Sequence, residues 1–457
     1  VKSENESLRE NARAIWQAGV DAVSPDRLIR KALRVRGSTL RVGSLAIPIS
    51  EIDSIAVVGA GKAGAAMSRA VERALGARIA REKRLHGCVN VPDRSVIRLQ
   101  HIEVHGARSA PDNKPTQAGV EGAGRMRSIL QSLGPRDLGI CLISGGGSAL
   151  LPAPVDGVTL DEKQAITGLL HASGAPIGPM NAVRKHLSQL KGGGIVRCFR
   201  GRWLASLIIS DVVGDPLDVI SSGPTAADPS TFGDAINVLK QYRLWDRAPE
   251  SIRRHLELGV NGQREETLKR LPRFVSNTII GNNDTALAAA SRAARRLGYR
   301  VLNLSSFLEG DSNQLGITLA GIARGVRDRN QPSSPPMCIL SGGETTVALG
   351  PGSGKGGRNQ ELVLAAMWQL ESAGLDRIVI LSGGTDGEDG PTDAAGALAD
   401  ERILRKAQTR GLDLAQFLDR HDSYHFFEAA GGLIKTGLTD TNVMDLRVIL
   451  VGEGDRE

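Results

Sequence analysis

The chain is poor in aromatic residues, sparing with cysteine and histidine, and without a long apolar run, and each shortage removes a class of function. Phe, Trp and Tyr make up 3% of the 457 residues, too few for an aromatic surface on which single-stranded nucleic acid could stack. The four cysteines, Cys88, Cys141, Cys198 and Cys338, are far apart and no pair has metal-ligand spacing. Cys141 and Cys338 fall inside apolar segments, which suits buried thiols in a reducing compartment. The eight histidines are dispersed, so neither a Cys/His nucleophile pair nor a zinc cluster is indicated. No run could span a bilayer and no signal-peptide pattern is present. The expectation is a cytoplasmic protein, with a mitochondrial form as the alternative. Glycine, by contrast, is abundant at 55 residues, and the formal net charge is +7. That charge is spread along the chain with no basic block. It suits a solvated surface or an anionic small molecule, with no nucleic acid and no membrane as partners.

The glycines gather where apolar segments end. Ile140 to Ile143 runs into Ser144-Gly145-Gly146-Gly147-Ser148, Met337 to Leu340 into Ser341-Gly342-Gly343, and Ile378 to Leu381 into Ser382-Gly383-Gly384. Read as strands of an open α/β sheet, these segments would bind ligands beyond their carboxyl ends. Glycine there admits positive φ and lets backbone N–H groups approach an anion. Each run is either a tight strand-to-helix turn or part of an anion site. Three together, with lysine and arginine nearby, point to one phosphate-handling site.

A further junction is Gly59-Ala60-Gly61-Lys62-Ala63-Gly64, between a strand at 52–58 and a helix at 65–75. This is a G-x-G-x-x-G pattern, yet the ribose-binding acid expected about 20 residues on is not clear among Arg78, Arg81, Glu82, Lys83 and Arg84. Lys62 is unusual in a nicotinamide turn. It aims an ammonium at whatever the helix N-terminus binds, and both favour an anion.

Other positions follow in order. Residues 4–34 predict two amphipathic helices broken near Pro25, and Thr159 with Glu162 predicts a capping box. Met180, Val183, Leu187 and Leu190 mark one face of a helix closed by Gly192 to Gly194. Lys191, at its last turn, either neutralises carbonyls or reaches into the site. His186 is expected on the surface or in the core. The strand 204–209 leads to Asp211 and Asp215, carboxylates suited to Mg²⁺ or to an alcohol proton. Asp211 is the stronger candidate, since Asp215 before Pro216 also suits a turn. Residues 278–304 predict a βαβ unit whose helix is capped by Asn283-Asp284. Arg358 stands before Asn359, read as another helix cap, and arginine plus a helix N-terminus makes an anion site. Asp386, Glu388 and Asp389 are candidate holders of a metal or water.

The fold class expected is α/β with two domains: 1–235 as an N-terminal Rossmann-like parallel-sheet domain, 236–275 as a helical inter-domain region and 276–457 as a C-terminal α/β domain. A cleft between them is the natural site. Without redox or hydrolytic machinery, this inventory suits phosphoryl transfer, which needs positioning and charge neutralisation more than covalent chemistry.

The segments CLISGGGSALLPAPVDGVTLDEKQ, NAVRKHLSQLKGGG, SDVVGDPLDVISSGPT, GKGGRNQELVLAAM and LSGGTDGEDGPTDAAGA resemble, in order and nearly word for word, the class II glycerate kinases. The resemblance runs from about residue 10 to the end. The run at 441–445 looks closer to animal members. It implies a Rossmann-like domain followed by a MOFRL domain, and ATP- and Mg²⁺-dependent phosphorylation of D-glycerate to 2-phosphoglycerate by a monomer or homodimer. Lys62 and Arg358 match residues taken as active-site groups in the family, and Asp211 matches the acid of the SDVVGDP motif. Gly59, Gly61, Ser144, Gly145, Gly146, Gly147, Ser148, Lys191, Gly342, Gly343 and Asn359 are expected to bind ATP or phosphate, and Asp386 and Asp215 to hold metal. Three departures bear on substrate preference: His105 to Asp112 where the family carries a His-Pro-x-Pro-Asp type of run, Thr345 for a common proline, and Asp440 for a usual glycine. The alternatives are an NAD(P)H-dependent hydroxypyruvate or tartronate semialdehyde reductase, and a kinase for a related hydroxy acid.

Overall fold

A computed structural model describes residues 4–109, 114–350 and 352–454. The chain divides into two compact units, Pro25–Ile280 and a second that joins Val1–Ser24 to Gly281–Glu457. Among the described residues, no helix is long and apolar enough to cross a membrane.

The first unit is built on a six-stranded sheet in the spatial order Ile102–Arg108, His86–Pro92, Ile55–Ala60, Leu138–Ile143, Trp203–Ile209, Val275–Gly281. Numbered along the chain this is 3-2-1-4-5-6, the doubly wound nucleotide-binding order. The first five strands pair in parallel. Ile55–Ala60 and Leu138–Ile143 are buried along their whole length, as continuous apolar strands covered on both faces must be. The winding reverses between these two strands, and their carboxyl ends open on the glycine turns at 59–64 and 144–148. Gly64 begins the helix Gly64–Glu82, and a Cβ there would lie 2.9 Å from Val89 Cγ1. The last glycine of the G-x-G-x-x-G pattern therefore sets close helix-to-strand packing. A helical layer, including Ile177–His186, Phe232–Gln241 and Glu250–Val260, closes over its own core of Val183, Leu187, Phe232, Leu239, Ile252 and Leu256. Three short antiparallel strands, Leu33–Arg36, Thr39–Val42 and Leu45–Pro48, escaped the periodicity reading.

The second unit carries a seven-stranded mixed sheet. Its central strand, Asp445–Val451, runs antiparallel to Met337–Thr346 on one side and to Ile378–Gly384 on the other. Ser341 and Ser382 both stand opposite Arg447, and Gly343 and Gly384 both stand opposite Asp445. The two Ser-Gly-Gly runs of this unit thus lie inside strands, where loops were expected.

Three sequence expectations are redrawn by long-range packing. The strand at 278–280 was to open a βαβ unit of the second half, but Val275–Gly281 completes the first sheet, and Arg300–Asn303 belongs to the second. Residues 236–275, expected to link two domains, lie within the first unit. The helix Glu4–Ala22, expected in the N-terminal domain, belongs to the second unit. Its stripe of Leu8, Ala12, Ile15, Trp16 and Val20 enters the core formed with Leu287, Leu340 and Leu446. Gly19 allows this approach, since a Cβ would lie 2.4 Å from Leu446 Cδ2. An amphipathic stripe specifies that a helix must be covered and leaves open by which core. The break before Pro25 and the Thr159–Glu162 capping box are where the sequence places them.

Candidate active site

At the switch point of the first unit, three turns interlock through glycine. Gly61 N donates to Asn90 O at 3.1 Å, Lys62 N to Gly145 O at 2.8 Å and Ser144 N to Ala60 O at 3.2 Å. Ala63 N donates to Ser144 Oγ at 3.1 Å. A Cβ on Gly61 would lie 2.0 Å from Ser144 Oγ, and one on Gly147 would lie 2.3 Å from Ser221 Oγ. The third turn is strained: Ser221, Ser222 and Gly223 have φ of 50°, 62° and 62°. Two successive non-glycine residues in this region each cost about 1–3 kcal/mol, a cost that persists where surrounding structure enforces it, often at functional sites. The enforcing contacts are Gly192 N to Ser222 O at 3.0 Å and Gly193 N to Gly223 O at 2.7 Å.

Cations converge on this cradle. Lys191, 2% exposed, donates to Ser148 O at 2.5 Å and to Ser148 Oγ at 2.6 Å. Its expected place at the end of a helix is corrected: the helix stops at His186, and Gly192 and Gly193 are left-handed outside it. Arg184, half-buried, donates to the same Ser148 Oγ at 2.6 Å. Lys163, 5% exposed, donates to Leu187 O at 2.7 Å. Lys62 is also half-buried, and its Cγ would lie 3.6 Å from a Cβ on Gly146. Asp211 and Asp215 follow the Trp203–Ile209 strand at the same carboxyl edge, with Asp215 left-handed at φ 56° in a turn closed by Asp215 N to Val212 O at 3.1 Å. Sequence reasoning missed Arg184 and Lys163. Lys163 was legible, for it shares the apolar stripe of Ile166 and Leu170, where an exposed lysine has no place.

Arg358 in the second unit has a different surrounding. Its Nε and Nη2 donate to Asp445 Oδ2 and Oδ1 at 2.8 and 3.0 Å, and its Nη1 lies 2.8 Å from Glu344 Oε1. Burial lowers its pKa, but Asp445, then Glu344, more than offset this and hold it above the ordinary arginine value. The helix N-terminus beside it is already filled, since Asp389 accepts from Asn359 N at 3.0 Å and Gln360 N at 2.8 Å. Burial raises Asp389 to about 6 against those donors. Asn359, expected as the cap, is inside the helix; Gly357 precedes it as the N-cap. The Asn359 amide instead donates to Asp445 at 2.9 Å and Asp389 at 3.2 Å and accepts from Ser382 Oγ at 2.5 Å. Asn283 is likewise displaced as a cap by Asn282. It lies buried against Gly342, where a Cβ would be 1.6 Å from its Oδ1, and a Cβ on Gly343 would meet Leu308 O at 2.2 Å. The bare faces of these two glycines therefore serve packing in the sheet.

Asp386 belongs to the second unit and Asp215 to the first. Asp386 Oδ1 accepts from Glu388 N at 3.1 Å. Among the described residues, no group of three or more His, Cys, Asp or Glu side chains could hold a metal. One or two carboxylates together with substrate phosphates are enough to hold Mg²⁺. Asp440, at φ 58°, accounts for the usual glycine: the position is left-handed, and Asp is among the few residues that tolerate it. Thr345 accepts from Arg447 Nη2 at 3.4 Å and from Ser312 Oγ at 2.9 Å. Positions 110–112 of the altered His105 run lie outside the described residues.

The buried lysines carry a pH signature. Burial, followed by the charge of Arg184, pushes Lys163 down to about 7, and Lys191 is lowered for the same reasons. An unfolded lysine titrates near 10.4. Between about pH 7 and 10 the unfolded chain thus binds protons that the folded chain does not, so stability rises with pH across that window. The melting temperature of the ligand-free protein is expected to climb from pH 7 to 9.5, with a smaller climb in Lys163→Met. Equal slopes in thermal denaturation of the two proteins would contradict this.

Residues 11–257 match a domain of unknown function, DUF4147, and residues 337–445 match the MOFRL family. The chain is 36% identical over 446 residues to the "Glycerate 2-kinase" of Pyrococcus horikoshii, covering 97% of each. It is 42% identical over 449 residues to a "Putative hydroxypyruvate reductase" of Agrobacterium vitis, covering 98% of this chain and 95% of the relative. Among solved structures, a glycerate kinase of Thermotoga maritima superposes with a TM-score of 0.84 at 34% identity, covering 98% of this chain and 100% of that one.

Proposed function

This chain belongs to the class II glycerate kinases, and from that membership we propose that it transfers the γ-phosphoryl group of ATP to the C2 hydroxyl of D-glycerate. The products are 2-phosphoglycerate and ADP. The observation that carries the reading is similarity along almost the whole chain to a relative named glycerate 2-kinase. In the reaction the C2 oxygen bonds to the γ-phosphorus as the bond to the β,γ-bridging oxygen breaks, and the hydroxyl proton leaves to a base. Lys62 neutralises charge on the transferring group from the turn at the switch point. Asp211 orients the C2 hydroxyl. The Ser144–Ser148 turn holds phosphate beside Lys62. Arg358 acts from a fixed position, because Asp445 holds Nε and Nη2 and leaves Nη1 towards the exposed Glu344. An anion would compete with Glu344 for that end. Asp386 and Asp215 are the candidate carboxylates for Mg²⁺, which would neutralise the phosphates of the nucleotide.

The name of the Agrobacterium vitis relative favours a second reading, reduction of hydroxypyruvate. Two observations weigh against it. The bare face of Gly61, which a dinucleotide pyrophosphate would approach, is occupied by Ser144. The acid just past the second strand, Asp93, accepts from Arg108 N at 3.2 Å and Ser109 Oγ at 2.8 Å. The deciding experiment measures ADP release with Mg-ATP and D-glycerate, beside L-glycerate and hydroxypyruvate, with the product assigned by NMR. Turnover to the 2-phosphate is expected. Oxidation of NADH or NADPH by hydroxypyruvate, without ADP release, would replace the kinase by the reductase.

A further inference from the structure

We propose that Arg184, Lys191 and Ser148 form a seat for an anionic group of the substrates, a carboxylate or a phosphoryl oxygen. The inference rests on the kinase reading and assigns Arg184 a role in binding.

The argument starts from what the cations touch. Arg184 Nη2 and Lys191 Nζ each stand 2.6 Å from Ser148 Oγ. A hydroxyl oxygen has two lone pairs, so both are taken by cations. Its proton then points to Ser222 Oγ, 2.9 Å away, and the Ser222 proton to Asn181 Oδ1 at 3.2 Å. The remaining donations of Arg184, Lys191 and Lys163 end on Asn181 Oδ1, Ser148 O and Leu187 O. All these acceptors are neutral, and no ion pair to any of the three cations occurs among the described residues. Unpaired buried charge is costly, and native proteins normally pair it. This chain does so one residue away: Lys185, equally buried, meets Asp218 and Asp228 at 3.2 Å each. The contrast marks the Ser148 cluster as lacking the carboxylates that Lys185 has, a place that an anionic ligand fills. Arg184, the half-buried member, is the one a ligand reaches first, and its planar fork suits two oxygens of a carboxylate or phosphate. The depressed lysines fit the same picture, since an anion between them would favour their charged forms.

The test is calorimetric titration of the full-length wild-type chain and of Arg184→Gln with D-glycerate and, separately, with ATP, alongside melting temperatures. Arg184→Gln is expected to weaken one ligand by about 30-fold or more, in the range of a charge-assisted hydrogen bond. Its ligand-free melting temperature should equal or exceed that of wild type, because an unpaired charge has been removed. Loss confined to D-glycerate assigns the carboxylate to the seat; loss confined to ATP assigns a phosphate. Arg184→Lys, which keeps the charge without the fork, is expected to lose less. Unchanged affinity for both ligands in a folded Arg184→Gln overturns the seat, as does failure of wild type to bind either ligand. Wild type that binds both yet transfers no phosphoryl group would remove the kinase reading and leave the seat standing.

Discussion

Lys62→Ala is expected to lower kcat/KM for D-glycerate by about 10³-fold, the scale seen when a preorganised charge or donor is removed from a developing anion. The effect follows from how the turn is built. Lys62 contributes its main chain to the fold, through N to Gly145 O at 2.8 Å. Gly59, Gly61 and Gly64 shape the turn by close approaches to Leu142, Ser144 and Val89. Truncating the Lys62 side chain leaves all of that in place. What is lost is a positive charge at the N-terminus of the helix Gly64–Glu82, where strand 1 of a doubly wound sheet meets its ligand. Steady-state kinetics at saturating Mg-ATP, with differential scanning fluorimetry to show that the variant is folded, measures the loss. A loss below tenfold would take Lys62 out of the reaction.

Asp445→Ala is expected to be the most destabilising single change in the second unit. Asp445 is 0% exposed and accepts from Arg358 at 2.8 and 3.0 Å, from Asn359 Nδ2 at 2.9 Å and from Arg447 Nη2 at 3.2 Å. Arg447, 1% exposed, would keep only neutral acceptors, Gly342 O and Thr345 Oγ1. Breaking a buried pair by deleting one partner costs about 3–5 kcal/mol. Urea denaturation should show a loss of that order with an unchanged slope. The same variant frees Arg358 Nε and Nη2, so kcat should fall as well. Asp445→Asn preserves volume but turns an amide towards donors, and should lie between alanine and wild type. A loss under about 1 kcal/mol in Asp445→Ala would show that Arg358 and Arg447 find other partners.

The two halves of the molecule thus use their signature residues differently. Around Ser148 the cations outnumber the carboxylates. Around Arg358 the carboxylates Asp445, Glu344 and Asp389 surround it and Arg447. A sequence pattern of glycine, serine and one basic residue does not distinguish the two cases, because it omits the acids that fold in from a distance. Asp445 is 87 residues from Arg358 and Asp389 is 30 residues from Asn359.

Short-range features were legible from the amino-acid order alone. They include the strand–glycine–helix junction at 59–64, the break before Pro25 and the Thr159–Glu162 capping box, whereas the family was legible only through the resemblance of five long motifs. Each of those short-range features depends on neighbours within a turn or two, where spacing dictates hydrogen bonding and burial. The tertiary structure decided what depends on partners far along the chain. It gave Val275–Gly281 to the first sheet and the first helix to the second unit. It turned Lys191 onto Ser148 and filled the helix N-terminus beside Arg358 with Asp389. It also spent Gly342 and Gly343 on packing against Asn283 and Leu308. The physical reason is the same in each instance: local periodicity specifies that a face or a charge must be covered, and only the long-range burial of the folded chain selects what covers it.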